Sequence, residues 1–439
     1  MDPFWREKAA NEKGPRIGDG EDETEYEGEQ HSYDLRIDEK GQVRETVAEC
    51  IDNSFATHYE NVTNLDRDAE DRIRRKRKRR KVLLKYKEAL EEILERHKEV
   101  FGRDKEKPPA QVDRELAEHV IELKEGESLD RSPGMRKRSQ MADVFIEDTI
   151  KKLLKTKLIF KVTDGSVAHA CQVHMVTSPG REPRFTIDYR PINAKTKADS
   201  FPLPRMDELL YGFAGSEWFS TVDAKSGFWQ VRMAEDSKVF TAFRTRSGVY
   251  IWNVMPMGLM NAPATFQRFM DQTFADMKFV KVYIDDVIIH SRSATQHLDH
   301  IDQVLGRCKA KGITLKASKC HFLKSKLKIL GYYVSKEGIT QDPEKLESIK
   351  NFKAPTNVRE LRRFLGMIQF FRMFSPATAR ILIPLYALTR KEVRWRWHDE
   401  ERAAFRQIKD ELLKKRTLAY PDTDAKFYVS VDASDFAFG

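Results

Sequence analysis

Apolar and polar positions alternate with different periods along this 439-residue chain, and the period changes mark its elements. In "VLLKYKEALEEILERHKEVF" (82–101), Leu83, Leu90, Leu94 and Phe101 recur near helical spacing with Ile93 beside them, which predicts an amphipathic helix. A second helix is expected over Met141–Lys155. Strands are expected around Gln172–Val176 and Arg184–Asp188. "DSFPLPRMDELLYGFAG" (199–215) predicts an extended, proline-rich lead into a helix, and "WFSTVDAKSGFWQVRM" (218–233) a strand, a tight turn, then a strand or short helix. "APATFQRFMDQTFADM" (262–277) reads as helical after Pro263. In "FVKVYIDDVIIHS" (279–291), two nearly apolar, β-branched runs, Phe279–Ile284 and Val287–Ser291, predict a buried hairpin. A helix over 295–311 and a strand pair in "KILGYYVSKEGI" (328–339) follow. Beyond 343 the pattern is mostly helical, with interruptions at Pro355, Pro376 and Pro384, and "KFYVSVDASDFAFG" (426–439) reads as the start of a new strand.

Charge divides the chain. Residues 1–70 carry 20 acidic and 8 basic residues, a net of −12, which leaves +21 on 71–439 given the whole-chain charge of +9. The acidic, aromatic-poor leader has the composition of a disordered segment. The basic body suits a polyanion, nucleic acid first, although many basic faces are merely solvated. "RIRRKRKRRK" (72–81) fits a nuclear-import signal or a phosphate-binding arm as well as it fits a solvated charge run. Cys50, Cys171, Cys308 and Cys320 show no CxxC spacing, which favours reduced core thiols in an intracellular protein over a zinc site. No run of about 18 apolar residues occurs, so no membrane span is expected.

The chemistry concentrates at the hairpin. Asp285 and Asp286 sit between apolar strands, where an unneutralised carboxylate costs several kcal/mol, roughly. A third acid, Asp223, ends the β-branched run Ser220–Val222. Three carboxylates at strand ends would attract Mg²⁺, an oxygen-seeking ion, and a metal pair about 4 Å apart supports phosphoryl or nucleotidyl transfer. Each acid also has an ordinary reading as a turn or cap residue.

The surrounding segments resemble reverse transcriptases of the Ty3/gypsy-type LTR retrotransposon pol polyprotein. "YIDDVIIHS" resembles the Tyr-x-Asp-Asp box of that family. In order around it stand "RFTIDYRPINAKTKADSFPLPRMDELL", "WFSTVDAKSGFWQVRM", "YIWNVMPMGLMNAPATFQRFMD", "LKASKCHF" with "LGYYVSKEGITQDPEKLESIKNF", and "PTNVRELRRFLGMIQFFRMF" with "LYALTR". The resemblance runs from about residue 95 to the end.

It implies an α+β right-hand polymerase: fingers, a palm with an antiparallel sheet, a thumb, then a connection and the first strand of an RNase H-like domain. The divisions it suggests are a leader at 1–80, fingers and palm at 81–340, thumb and connection at 341–420, and a truncated RNase H start at 421–439. It implies an RNA-directed DNA polymerase using two Mg²⁺ ions, with Mn²⁺ able to substitute. The partners would be an RNA or DNA template with its primer and dNTPs, with a dimer as an option and no membrane. Asp223, Asp285 and Asp286 would be the catalytic metal ligands. Phe228 would stand where the family places an aromatic that excludes a 2′-hydroxyl, though taken by itself it reads first as an ordinary core residue. Arg184 matches the fingers arginine that meets the triphosphate, with a plain surface charge as its alternative. Two departures are visible. The lysine-rich stretch before that arginine is missing from "VTSPGREPRF", where Arg181 would stand in, and "MPMG" places the soft Met257 where the family commonly has Phe. Asp432 would be the first RNase H ligand, but RNase H activity is not expected from this chain, which stops at Gly439. Residence in a cytoplasmic particle or the nucleus would follow from the family.

A nucleic-acid-binding remnant without catalysis, an RNA polymerase of similar palm design, and a scaffolding dimer subunit are the rival readings.

Overall fold

The computed structural model describes residues 85–102, 108–130, 134–165, 167–178, 180–421, 425, 426 and 428, together with the backbone of 35–37 and 43–45. Within 35–45, two short strands, Leu35–Ile37 and Val43–Glu45, pair with one another, and the first pairs with the strand His321–Lys324. The basic run at 72–81 and Asp432 lie outside the described residues.

The central feature is a six-stranded antiparallel sheet. From one edge its order is Val280–Tyr283, Asp286–Ser291, Trp218–Asp223, His321–Lys324, Leu35–Ile37 and Val43–Glu45. The two runs of the sequence-predicted hairpin are therefore its first two strands, and Trp218–Asp223 lies beside them in the middle. Side chains alternate across a strand, so this sheet separates two cores. Val222, Val287 and Ile289 enter the larger core, which the helices Ala262–Thr273 and Ala294–Ala310 cover. Phe219 and Ile288 face the other way, into a second core built with the helices Val358–Phe370 and Asp399–Leu413.

A five-stranded sheet is interleaved with it along the chain, in the order Ile159–Val162, Gly248–Trp252, Phe243–Thr245, Cys171–Ser178, Arg181–Ile187. The helix Gln140–Lys155 begins on Ser139, whose hydroxyl accepts the Ala142 N–H, an N-cap that satisfies one of the free first-turn donors. After the central sheet come three antiparallel strands, Lys326–Ile329, Tyr332–Ser335 and Gly338–Gln341, where the sequence suggested a pair; Thr417–Leu418 adds a fourth. The third strand was missed because "GI" after "SKE" carries too short an apolar signal for the alternation to register.

Two proline expectations are corrected. The helix Ala262–Thr273 does not wait for Pro263 but includes it in its first turn, where a missing N–H costs nothing. Pro384 likewise opens the short helix Ile383–Ala387 instead of interrupting one. No described helix is long and apolar enough to cross a membrane.

Candidate active site

Asp223 and Asp286 are direct partners in the central sheet. Partnered residues on neighbouring antiparallel strands share a face and sit roughly 5 Å apart at Cα. Two acids separated by 63 positions in sequence thus meet at the strand ends, facing the second core. Asp285 is the second residue of the two-residue turn that joins Tyr283 to Asp286.

That turn is strained. Its first residue, Ile284, has φ +52°, in the left-handed region that a β-branched side chain avoids at a cost of about 1–3 kcal/mol. Gln267 holds it in place: its Oε1 accepts the Ile284 N–H at 2.6 Å, while its Nε2 donates to the Val282 carbonyl at 3.3 Å and to Asp271 Oδ1 at 2.8 Å. Gln267 is fully buried on the Ala262–Thr273 helix. The sequence analysis missed it; the signal available was a glutamine falling among the buried positions of an amphipathic helix.

The electrostatics of the three acids differ. Asp285 is pushed up to about 6, first by burial, then by the charges of Asp223 and Asp286. Its Oδ1 is buried without a hydrogen-bond partner. Asp286 is exposed at the cleft, yet the water its neighbours displace and the Asp223 charge push it upward too. Asp223 has a cationic partner, Lys319 Nζ at 2.9 Å, and that bond raises the lysine. Lys319, in "LKASKCHF", was also missed; a lysine in a basic segment looks like solvated charge until the fold brings it across the sheet.

Gly227 belongs to the same wall. A Cβ there would lie 2.9 Å from Asp285 Oδ1 and 2.8 Å from the Phe266 ring, so only glycine lets this turn approach the acid. Phe228, next to it, is half-buried and meets Phe266 edge-on, ring centroids 5.6 Å apart. Asp223 and Asp286 also line a cleft of about 290 Å³ with Lys319, His321, Lys328 and Ile329.

The remaining predicted residues lie elsewhere. Arg184 is exposed on the Arg181–Ile187 strand, opposite Val176. The backbone of Arg181 begins that strand, and its side chain lies outside the described residues. Met257 is 62% exposed in the segment before the Ala262–Thr273 helix, so it does not fill a pocket.

Among the described residues, no three His, Cys, Asp or Glu side chains stand already converged as a finished metal cage. The donor set nevertheless suits a hard divalent ion: all carboxylate oxygen, with one oxygen buried and unpartnered and two acids pushed toward protonation first by burial and then by the Asp223 charge. A cation arriving there would relieve both, and on Asp223 it would compete with Lys319.

Residues 178–334 match the family described as reverse transcriptase (RNA-dependent DNA polymerase), and residues 397–439 match an RNase H-like domain found in reverse transcriptase. The chain is 34% identical over 296 residues to the Transposon Tf2-3 and Tf2-4 polyproteins of Schizosaccharomyces pombe; this spans 67% of the chain and 22% of each polyprotein. The chain thus covers about a fifth of the length of these relatives. Among solved structures, the foamy viral protease-reverse transcriptase in complex with RNA/DNA hybrid is similar at TM-score 0.67 and 22% identity, over 77% of this chain and 45% of that one. The dRH form of that protein in complex with ds DNA is similar at TM-score 0.70 and 23% identity, over 80% and 61%. The likeness establishes a polymerase fold of the α+β class.

Proposed function

We propose, from the match of residues 178–334 to the reverse transcriptase family, that this chain is the RNA-directed DNA polymerase of an LTR retrotransposon, extending a primer with dNTPs on an RNA or DNA template, with the central sheet as its palm and the five-stranded sheet in its fingers. The observation that carries the reading is the register pairing of Asp223 with Asp286, with Asp285 in the adjoining turn. Asp223, Asp285 and Asp286 are the residues that would hold two Mg²⁺ ions. Such ions, when bound, make the primer 3′-hydroxyl more acidic and neutralise charge on the reacting phosphates.

The chain's own residues supply the rest. The half-buried turn at Ile284 and the Gln267 bonds keep the acids fixed, so little reorganisation is left for the reaction itself. Phe228, beside Gly227 on the same wall, supplies a ring that would collide with a 2′-hydroxyl and so select dNTPs. Arg184 projects from the fingers strand as a planar donor suited to a triphosphate. The body's net +21 supports a sequence-tolerant, salt-sensitive grip on the nucleic-acid backbone.

The test is primer extension on an RNA template with Mg²⁺ and dNTPs, run beside Asp285→Asn. The expected result is extension by the unaltered chain and none by the variant, with template–primer binding retained by both. Binding without extension by the unaltered chain would convert the assignment to a nucleic-acid-binding remnant.

A further inference from the structure

The strands that carry the aspartates contain little information about their own register. Val287, Ile288 and Ile289 are all buried, so the Asp286 strand is apolar on both faces. Sliding such a run by two residues replaces Val with Ile on the same face, a small change in burial, yet it moves Asp286 from Asp223 to another partner. Something polar has to fix the alignment, since a buried polar group is satisfied in one arrangement only.

That group is found behind the sheet, on the face away from the acids. His297, on the helix Ala294–Ala310, is fully buried. Its Nε2 lies 2.7 Å from Ser220 Oγ and its Nδ1 2.7 Å from Ser291 Oγ. Ser220 is on the Asp223 strand and Ser291 on the Asp286 strand. In the ladder Ser220 faces Ile289, Ser291 faces Trp218 and Asp286 faces Asp223. One imidazole therefore bridges the two aspartate strands.

The bridge is braced at both ends. The Leu323 N–H donates to Ser220 Oγ at 3.0 Å, at the irregularity between His321 and Lys324 in the fourth strand. Ser291 Oγ also lies 2.7 Å from His300 Nδ1, and the His300 ring stacks on Phe279 at 3.6 Å, immediately before the first strand. Burial holds His297 far below the usual imidazole range, at about 3, so the ring is neutral and offers one donor and one acceptor, a match for two hydroxyls.

We infer that His297 is a positioning residue: it staples the Asp223 and Asp286 strands from the back of the sheet and so fixes the carboxylate spacing at the front. A slip by one residue would put the acids on opposite faces, and a slip by two would break both histidine bonds. The residue touches neither substrate nor metal. Its effect on catalysis rests on the polymerase reading; its effect on cation binding does not.

The experiment uses the full chain with His297→Phe, which keeps a ring and removes both bonds, beside His297→Gln, whose amide can restore a donor and an acceptor, and Ser291→Ala. Four quantities are read: thermal midpoint, template–primer affinity, Mn²⁺ binding by electron paramagnetic resonance without nucleic acid, and single-turnover dNTP incorporation. The expected result for His297→Phe is unchanged template–primer affinity with Mn²⁺ binding weakened roughly 10- to 100-fold, the loss typical of an outer-shell support. Incorporation should fall by about 100-fold, as for a misplacement near 1 Å, and His297→Gln should recover part of both. A variant whose midpoint falls while its Mn²⁺ affinity stays unchanged overturns the inference, leaving the histidine a packing residue. If His297→Phe does not fold, Ser291→Ala, which removes one bond only, must show the same weakening of Mn²⁺ binding or the inference fails. Should the unaltered chain incorporate no dNTP, the polymerase reading is lost, while the Mn²⁺ comparison still decides the role of His297.

Discussion

Two hairpins of this molecule can be set side by side. The palm hairpin, Val280–Ser291, is buried along most of its second strand, aligned without a slip, and held by Gln267 at the turn and His297 at its base. The fingers hairpin, Cys171–Ile187, starts buried and ends exposed, its burial fading from Cys171–Val173 to the tip, where the register shifts between Val176 and Ser178. The first carries acids that have to meet one another. The second carries Arg184, which on the proposed reading has to meet a ligand that comes and goes. Ångström-level placement of charge is built on a strand pair locked from both sides, and ligand capture on one left free to adjust.

The largest effect should come from breaking the palm side. Asp285→Asn is expected to reduce incorporation by at least about 1,000-fold, as for loss of a metal ligand or comparable charge stabiliser. It should also stabilise the metal-free fold. Asp285 has its folded pKa raised to about 6, so its protonated form is favoured in the native state; that contribution is complete below the unfolded value of 3.8 and is lost as pH rises through about 6. At pH 8 the ionised acid therefore opposes folding, and the asparagine should raise the melting temperature by an amount that shrinks toward pH 4. Equal melting curves at pH 8 would show that neither burial nor the neighbouring acids penalise the ionised Asp285.

A middle-sized effect tests the wall shared by the acids and the sugar. Phe228→Ala should admit NTPs, with discrimination against them falling about 10- to 100-fold, while Asp285 chemistry persists. Competition between dATP and ATP in the primer-extension assay reads this ratio; an unchanged ratio would make Phe228 a core residue and nothing more.

The smallest effect belongs to the fingers. Arg184→Ala should raise the apparent KM for dNTP by about tenfold, the worth of a charge-assisted contact, and leave the melting temperature within error, since the side chain is exposed. A large drop in stability would mean that this strand is not the free one.

Acid sensitivity compares the regions as folded units. His297 at about 3 is buried behind the palm sheet, and His290 at about 4 is half-buried in it. Their folded values lie below the ordinary 6.5, so the stability they add is present above that pH and is lost as pH falls from about 6.5 toward 3. Hydrogen-exchange protection, corrected for the intrinsic rate at each pH, should therefore fall from pH 7.5 to pH 5 by a larger factor in the palm strands than in the fingers strands.

The sequence by itself determined the elements and the chemistry they carry. Apolar runs around "YIDD", the helical period of the segments from 140 and 294, and the order of six motifs were enough to place a carboxylate trio at strand ends and to point to nucleotidyl transfer, because strand, helix and turn preferences are local. What only the tertiary structure decided is how distant residues meet. Asp286 opposite Asp223, Lys319 against Asp223, Gln267 on the strained turn and His297 between two serines are separated in sequence by 63, 96, 17 and 77 or 6 positions. None of them has a periodicity of its own. A lone histidine, glutamine or lysine gains its role only from the groups packed around it, and burial depends on the whole chain closing over it.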